Sequence, residues 1–282
     1  MTPQGEPRQR VSLSIRIARA LVRWGPPEGT RGRGPLQAAA TRYLEWNRQL
    51  LLDPQLRYRA AVRLLQRLAD LPAPKILDVG SGPAGLAYFL KQPVVGVDVD
   101  FALQDLAVHP SPIVPVRASA TMLPFHDRSF DGVVSMDTIE HLPKEYRALA
   151  IKEMLRVARR VLVIGFPFGP ASAGFDREAL LEERLRGNPL NWREEHVRHG
   201  LPDEETHKAL VELARRYRPD LSVIWYGQEG LLGLRLRWRL QWIVSKDSRL
   251  YGLVFAPLYW VHSRGWRRHA YRRVYSLQAE PA

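Results

Sequence analysis

An apolar run that breaks on an acid and three closely spaced glycines, KILDVGSGPAGL at residues 75–86, constrains this chain more than any other stretch. Ile76 to Val79 reads as a short strand, and Gly80-Ser81-Gly82 must then turn the chain tightly. Glycine lets a ligand come close to the main chain, and Pro83 suits the first turn of a following helix. The spacing of Gly80, Gly82 and Gly85, with Asp98 beyond, is also that of a dinucleotide-binding turn. Asp78 separates the two readings, because a carboxylate repels a pyrophosphate and favours a cationic ligand.

Beyond and before this turn, apolar periodicity switches repeatedly between strand and helix. Residues 37–70 carry helical spacing, with Ala61, Leu64, Leu65 and Leu68 in register, until LPAP at 71–74 stops it. Residues 84–91 read as a short helix, and 94–97 as a strand ending at Asp98. Residues 131–135 form a strand after a turn at 126–129, 144–158 a helix, and 161–166 a strand. Residues 202–217 make an amphipathic helix, 221–226 a late strand, and 270–277 the last one. Alternation of this kind predicts an α/β class: a Rossmann-like, doubly wound, mostly parallel sheet with helices on both faces. Ligands then bind at the carboxyl ends of the strands, where the glycines lie. The expected organisation is a basic helical extension over 1–70 and a core over 71–226. A basic, aromatic-rich cap or insertion over 227–272 and a final strand and tail over 273–282 complete it.

The net charge of +13 belongs to the flanks. Residues 1–75 hold 14 Lys/Arg against 5 Asp/Glu and residues 231–282 hold 10 against 2, whereas residues 76–230 hold 18 against 22. Such flanks suit an anionic partner, and ordinary solvated helix faces are the plainer account of them. The arginine-rich stretch at 8–24 reads as a packed helix in preference to a membrane-lying or transit segment. The longest uncharged run, 250–261, is too short to span a bilayer, and no signal peptide is visible. A cytoplasmic location, with peripheral membrane contact through the basic flanks, is the expectation. Cysteine is absent, which removes disulfides, thiolate metal sites and cysteine nucleophiles. Zinc-protease, serine-hydrolase and phosphate-loop motifs are absent too.

Four stretches in order are ILDVGSGPAG (76–85), VVGVDVD (94–100), LPFHDRSFDGVVSMDTIEHL (123–142) and EMLRVARRVLVIGFP (153–167). Together they resemble the class I S-adenosylmethionine-dependent methyltransferases, specifically the small-molecule group that includes ubiquinone/menaquinone-biosynthesis-type enzymes. The resemblance covers about residues 70–170. It implies S-adenosyl-L-methionine as cofactor and direct displacement of methyl from the sulfonium on to a small-molecule or lipid-linked acceptor. It implies that Gly80, Ser81 and Gly82 lie against the methionine part, and that Asp78 holds the amino group, directly or through water. Asp98 would accept from both ribose hydroxyls, Val99 would touch the adenine, and Ser119-Ala120 would form the adenine loop. Two departures stand out: Ala84 where the family often has glycine, and Ser119 where it commonly has an acid.

By the same resemblance Asp137 faces the sulfonium, and Asp137, Glu140 and His141 are the candidate catalytic residues, acting as a base. Two other roles stand beside that one for Glu140 and His141. They could shape the loop through backbone bonds, or hold Mg²⁺ with hard oxygen ligands as in some quinone-pathway members; no metal ligand is assigned. Glu195-His196 and His199 fall in a polar segment expected to form helix and loop without chemistry. The acceptor site is expected from residues 37–70, 168–202 and 227–272. Competing functions are an RNA-modifying methyltransferase using its basic flanks on phosphates, an NAD-dependent oxidoreductase, and a non-catalytic module that keeps the pocket.

Overall fold

The computed structural model describes residues 52–82, 85–90, 92–101, 113–187, 189–240 and 270–279. Seven strands form one sheet: β1 (Ile76–Val79), β2 (Val94–Asp98), β3 (Ile113–Arg117), β4 (Phe130–Met136), β5 (Ala158–Pro167), β6 (Leu221–Gly230) and β7 (Ala270–Ala279). Their order across the sheet is β3-β2-β1-β4-β5-β7-β6. The pairs from β3 through β5 are parallel, and β7 runs antiparallel between β5 and β6. The described helices are α1 (Leu52–Leu65), α2 (Ala87–Leu90), α3 (Lys144–Val157), α4 (Gly169–Leu185), α5 (Asn191–His199), α6 (Glu204–Tyr217) and α7 (Leu231–Leu240). The observed sheet is the mostly parallel, doubly wound one that the alternation predicts.

The two faces of the sheet explain the unbroken apolar runs. Leu77, Val79, Val133, Leu162 and Ile164 pack with Ala150, Met154 and Leu155 of α3 and Leu210 and Ala214 of α6. Their neighbours Ile76, Val134, Met136, Val161 and Val163 pack with Tyr58, Ala61 and Leu65 of α1. Strands covered on both sides lose the polar alternation of a half-exposed sheet, and every residue of β1 and β4 is buried. Burying one such leucine or valine stabilises the fold by about 1.5–3 kcal/mol.

One described strand goes beyond the sequence expectations. β3 is one of the two edge strands, half-exposed and interrupted by Pro115. Proline in a strand argues against a central position but is tolerated at an edge. α4 and α5 occupy the polar segment at 168–202. Farther on, α7 lays Leu234 and Trp238 against Phe175 and Ala179 of α4 and Tyr271 of β7, so this part of the basic, aromatic-rich segment covers core. The stretches at 8–24, 25–35 and 250–261, together with Pro83 and Ala84, lie outside the described residues. No helix among the described residues is long and apolar enough to cross a membrane.

Candidate functional site

From β1 the sheet is built out to opposite sides, first β2 and β3 on one side and then β4 onward on the other. A crevice opens at such a switch point, and the glycine turn fills its floor. Gly80 N–H and Ser81 N–H both donate to Val97 O, at 2.7 and 3.1 Å. Gly82 N–H donates to Asp98 Oδ2 at 2.9 Å, and Leu86 N–H to Asp78 Oδ2 at 2.7 Å. These donors are therefore consumed inside the protein and do not form a nest for an anion. Glycine is required at two points: Gly80 has φ +75° and a Cβ there would collide with Thr138 Oγ1, while Gly85 has φ +43° and a Cβ would strike Asp78 Oδ2.

Asp78 is 1 % exposed and fastens the turn from beneath. Its Oδ2 also accepts from the Tyr58 hydroxyl at 3.4 Å, while Oδ1 is buried with no hydrogen-bond partner. Burial raises its carboxyl to about 7, against the opposing effect of the Leu86 and Tyr58 bonds. The carboxylate is turned into the turn and does not line the crevice.

The crevice encloses about 670 Å³, within the range of small-molecule sites. One end is lined by Gly82, Asp98, Val99, Ala118, Ser119 and Ala120, and Ser81 lies in the same wall. Asp98 accepts from Gly82 N–H and from Asp100 N–H at 3.2 Å. An ionised carboxylate has about four acceptor positions, so two remain for a ligand. Val99 presents its apolar side chain 63 % exposed. The Ser119 hydroxyl is already shared with the Thr121 hydroxyl at 2.8 Å and accepts Thr121 N–H at 3.2 Å. An aromatic wall of Tyr58, Tyr88 and Phe89 closes one side, with the Tyr58 and Phe89 rings stacked 5.5 Å apart.

At the other end stand Arg57, Asp137, Thr138, His141, Leu142 and Glu195. Asp137 leaves β4 with φ +55°, a conformation costly for a side-chain-bearing residue. Its N–H is held by Gly165 O at 2.8 Å, and its carboxylate is clamped from two directions. Arg272 of β7 forks on to it, Nε to Oδ1 at 2.5 Å and Nη2 to Oδ2 at 2.6 Å, and Arg57 Nε of α1 approaches at 3.0 Å. Arg272 also binds Glu229 of β6 at 3.1 Å. Both oxygens of the Asp137 carboxylate, one of the residues expected to act as base, are thus engaged by guanidinium groups in this structure.

Glu140 and His141 form a short 3₁₀ turn after Asp137, and α5 delivers Glu195 and His196 against it. Glu140 is fully buried with no hydrogen-bond partner on either oxygen, and burial, then the charge of Asp137, raises its carboxyl well above the usual range. His141 Nδ1 meets Glu195 Oε2 at 2.7 Å, and His196 Nδ1 meets Asp176 Oδ2 of α4 at 2.8 Å. The two Nε2 atoms face each other at 3.4 Å, and His196 Nε2 stands 3.8 Å from Glu140 Oε1. Burial first and the His196 ring second lower the His141 pKa. Arg147 of α3 ties the C-terminal end of α5 in place by donating to Leu142 O, His199 O and Gly200 O.

Residues 77–161 match the family model described as a methyltransferase domain. Over 88 residues the chain is 39% identical to proteins described as uncharacterized methyltransferases of Mycobacterium sp. strains KMS and MCS, covering 30% of this chain and 34% of each relative. The chain thus spans about a third of the length of the curated relatives it matches. Among solved structures it is similar to the methyltransferase domain of bacterial CtHen1-CN, at 16% identity over 80% of this chain and 99% of that one, with a TM-score of 0.48. It is also similar to the small RNA methyltransferase HEN1, at 15% identity over 79% of this chain and 25% of that one, with a TM-score of 0.46.

Much of the second end of the crevice lies outside the matched methyltransferase domain. Arg57, Tyr58, Glu195 and His196, with Arg272 behind them, come from α1, α5 and β7. The sequence expectation put the acceptor site in the segments that hold them, 37–70, 168–202 and 227–272, but did not name Arg57, Tyr58 or Arg272 and gave Glu195-His196 a helix-and-loop role without chemistry. Arg272-Arg273 within an otherwise apolar strand is a signal that could have found the clamp on Asp137. The pairing of His196 with His141 left no local signal, since 55 residues separate them.

Proposed function

We propose that this protein is an S-adenosyl-L-methionine-dependent methyltransferase acting on a small-molecule or lipid-linked acceptor, in the manner of the quinone-biosynthesis group it resembles. The observation that carries the cofactor is the state of the glycine turn: the N–H groups of Gly80, Ser81, Gly82 and Leu86 are bound to Val97, Asp98 and Asp78, and a Cβ built at Gly82 meets nothing within 4 Å. Such a cradle is open in space, and these four donors are not available to a phosphate. The charged groups around the crevice include Asp98, Asp137 and Glu195 against Arg57, which favours a cation over a dinucleotide. An adenosyl group fits the first end, with its ribose on Asp98 and its base beside Val99 and Ser119-Ala120.

When bound, the cofactor supplies a methyl group on a sulfonium sulfur, which keeps the bonding pair and leaves as a neutral thioether while an acceptor lone pair forms the new bond. The protein's task is alignment in a partly dry crevice. Tyr58, Tyr88 and Phe89 exclude water along one wall, and the Arg57–Asp137–Arg272 clamp fixes the rim beside Thr138. Of the three residues expected to act as base, Asp137 is clamped and Glu140 lies behind the wall. His141 alone presents a ring, of lowered pKa, at the acceptor end.

Titration calorimetry with S-adenosylhomocysteine tests the reading. Binding near one equivalent supports it; no binding, or binding of NAD instead, overturns it. A screen with methyl-labelled cofactor against lipid, small-molecule and RNA fractions then separates the acceptor classes, with labelled RNA the outcome that counts against a small-molecule acceptor.

A further inference from the structure

Helix α7 has two apolar faces, and only one of them is buried. Leu234 and Trp238 pack into the core with Phe175 and Ala179 of α4, whereas Leu232 and Leu236, one turn apart, are exposed, Leu232 to 85 %. α4 repeats the pattern: Leu181 and Leu185 are a second exposed pair one turn apart, Leu185 to 80 %. An ion pair of Arg235 with Glu178 joins the two helices. At about 100° per residue, both leucine pairs fall beyond that ion pair on the side away from the shared core, so they belong to one outward surface. Lone exposed leucines are ordinary, but four in paired register on adjacent helices make a patch of the kind that marks a contact surface.

Charge and position say what covers the patch. α7 carries Arg235, Arg237 and Arg239 and no acid, and residues 231–269 hold 8 Lys/Arg against 1 Asp/Glu. The acids beside the α4 leucines, Glu178 and Glu182, are each met by an arginine, Arg235 and Arg186. β5 and β6 both run antiparallel to β7 and therefore parallel to each other. β5 ends at Pro167 just before α4 starts at Gly169, and β6 ends at Gly230 just before α7 starts at Leu231. Both helices thus leave the carboxyl end of the sheet, where the crevice lies, and α5 carries the chain on from α4 to Glu195 at the acceptor end.

We propose that this outward face of α4 and α7 docks on the surface of an anionic phospholipid bilayer. The four leucines enter the boundary of the acyl chains, while the stems of the exposed Arg177 and Arg239 lie along it and their guanidinium groups reach lipid phosphates. A second copy of the chain would set the same basic helix against itself, and RNA offers the leucines no apolar layer. Docking brings the crevice end of the sheet to the bilayer, so that a lipid-linked acceptor meets the methyl donor without leaving it. That consequence rests on the methyltransferase reading; the docking itself does not.

The test sediments the whole chain with vesicles of phosphatidylcholine alone or mixed with phosphatidylglycerol. Binding to the mixed vesicles only, weakened by salt, is expected. Leu232→Gln with Leu236→Gln, or Leu181→Gln with Leu185→Gln, weakens vesicle binding by about 10–100-fold, and Arg239→Gln by about fivefold. The thermal midpoint and S-adenosylhomocysteine affinity stay at the parent values in each. Because the chain has no cysteine, a polarity-sensitive dye on Leu232→Cys reports the patch alone. Its emission shifts to the blue on mixed vesicles, whereas the same dye on Asp70→Cys, before β1 at the opposite end of the sheet, does not shift. Vesicle binding unchanged by both leucine pairs places the contact in other basic segments and overturns the proposal. Absence of vesicle binding overturns it too, in favour of a self-interface where the leucine variants abolish a dimer in ultracentrifugation, or of RNA where salt-dependent RNA binding survives them. Vesicle binding by a chain that does not bind S-adenosylhomocysteine upholds the docking surface and overturns only its part in acceptor access.

Discussion

The Asp137 carboxylate and the Arg272 guanidinium meet in a two-pronged ion pair across the carboxyl end of the sheet, joining the last residues of β4 to a strand that begins 133 positions after Asp137. Neither group is more than 9 % exposed. Removing Arg272 takes the forked partner from the buried Asp137 carboxylate and leaves it with Arg57, which is more exposed. Arg272→Met is therefore expected to lower stability by about 3–5 kcal/mol, read as a shift in urea midpoint. Lysine at 272 restores little, because it lacks the fork. Adding Asp137→Asn to Arg272→Met recovers part of the loss, and strict additivity of the two changes would contradict the pairing.

Asp98 stands at the mouth of the crevice with two acceptor positions left over. Asp98→Ala is expected to weaken S-adenosylhomocysteine by about 2–3 kcal/mol, or tens- to hundredfold. Calorimetry measures it, and an unchanged affinity would remove Asp98 from the ligand.

The turn at Gly80 is fixed by both backbone and neighbour. Gly80→Ala must adopt φ +75° and push Thr138 aside, losing about 1–3 kcal/mol in stability along with ligand binding. Thr138→Ala in the same chain relieves the collision but not the backbone strain. Denaturation of the double variant should therefore show partial recovery only, and full recovery would locate the whole cost in the side-chain contact.

Stability should depend on pH through Asp78. In the unfolded chain its carboxyl titrates near the ordinary value of about 3.9, whereas in the folded chain burial raises it to about 7. Between those values the folded state keeps a proton that the unfolded state has released, so unfolding free energy falls as pH rises. Below the window both states are protonated and above it both are ionised, so Asp78 then adds no slope. Subtracting the stability profile of Asp78→Asn from that of the parent over pH 4–7 isolates this contribution from that of Glu140. A flat difference would mean that Asp78 is ionised throughout.

Legibility in the sequence divides along the chain in a physical way. Strands buried on both faces announce themselves as apolar runs, so Ile76–Val79 and Val161–Phe166 were readable at once, and the glycines at 80, 82 and 85 marked the crevice. Edge strand β3 was hidden by Pro115 and its exposed residues. Asp78 reads in the sequence as a ligand contact, and its second part, a fastener held by burial and the Leu86 N–H, shows only in the fold. His196 and Arg272 were hidden for a different reason: their partners are reached only after α5 folds back and β7 enters the sheet, and no local periodicity records such a meeting.

The position of β7 has a consequence for how the molecule is made. β6 is synthesised some forty residues before β7 yet touches the sheet only through it. While the ribosome still holds residues 270–279, β5 has an open flank, β6 has nowhere to dock, and Asp137 lacks its forked partner. The rim of the crevice is thus completed only once β7 has emerged, so a nascent chain stalled before that point should have the glycine turn but not a finished acceptor rim.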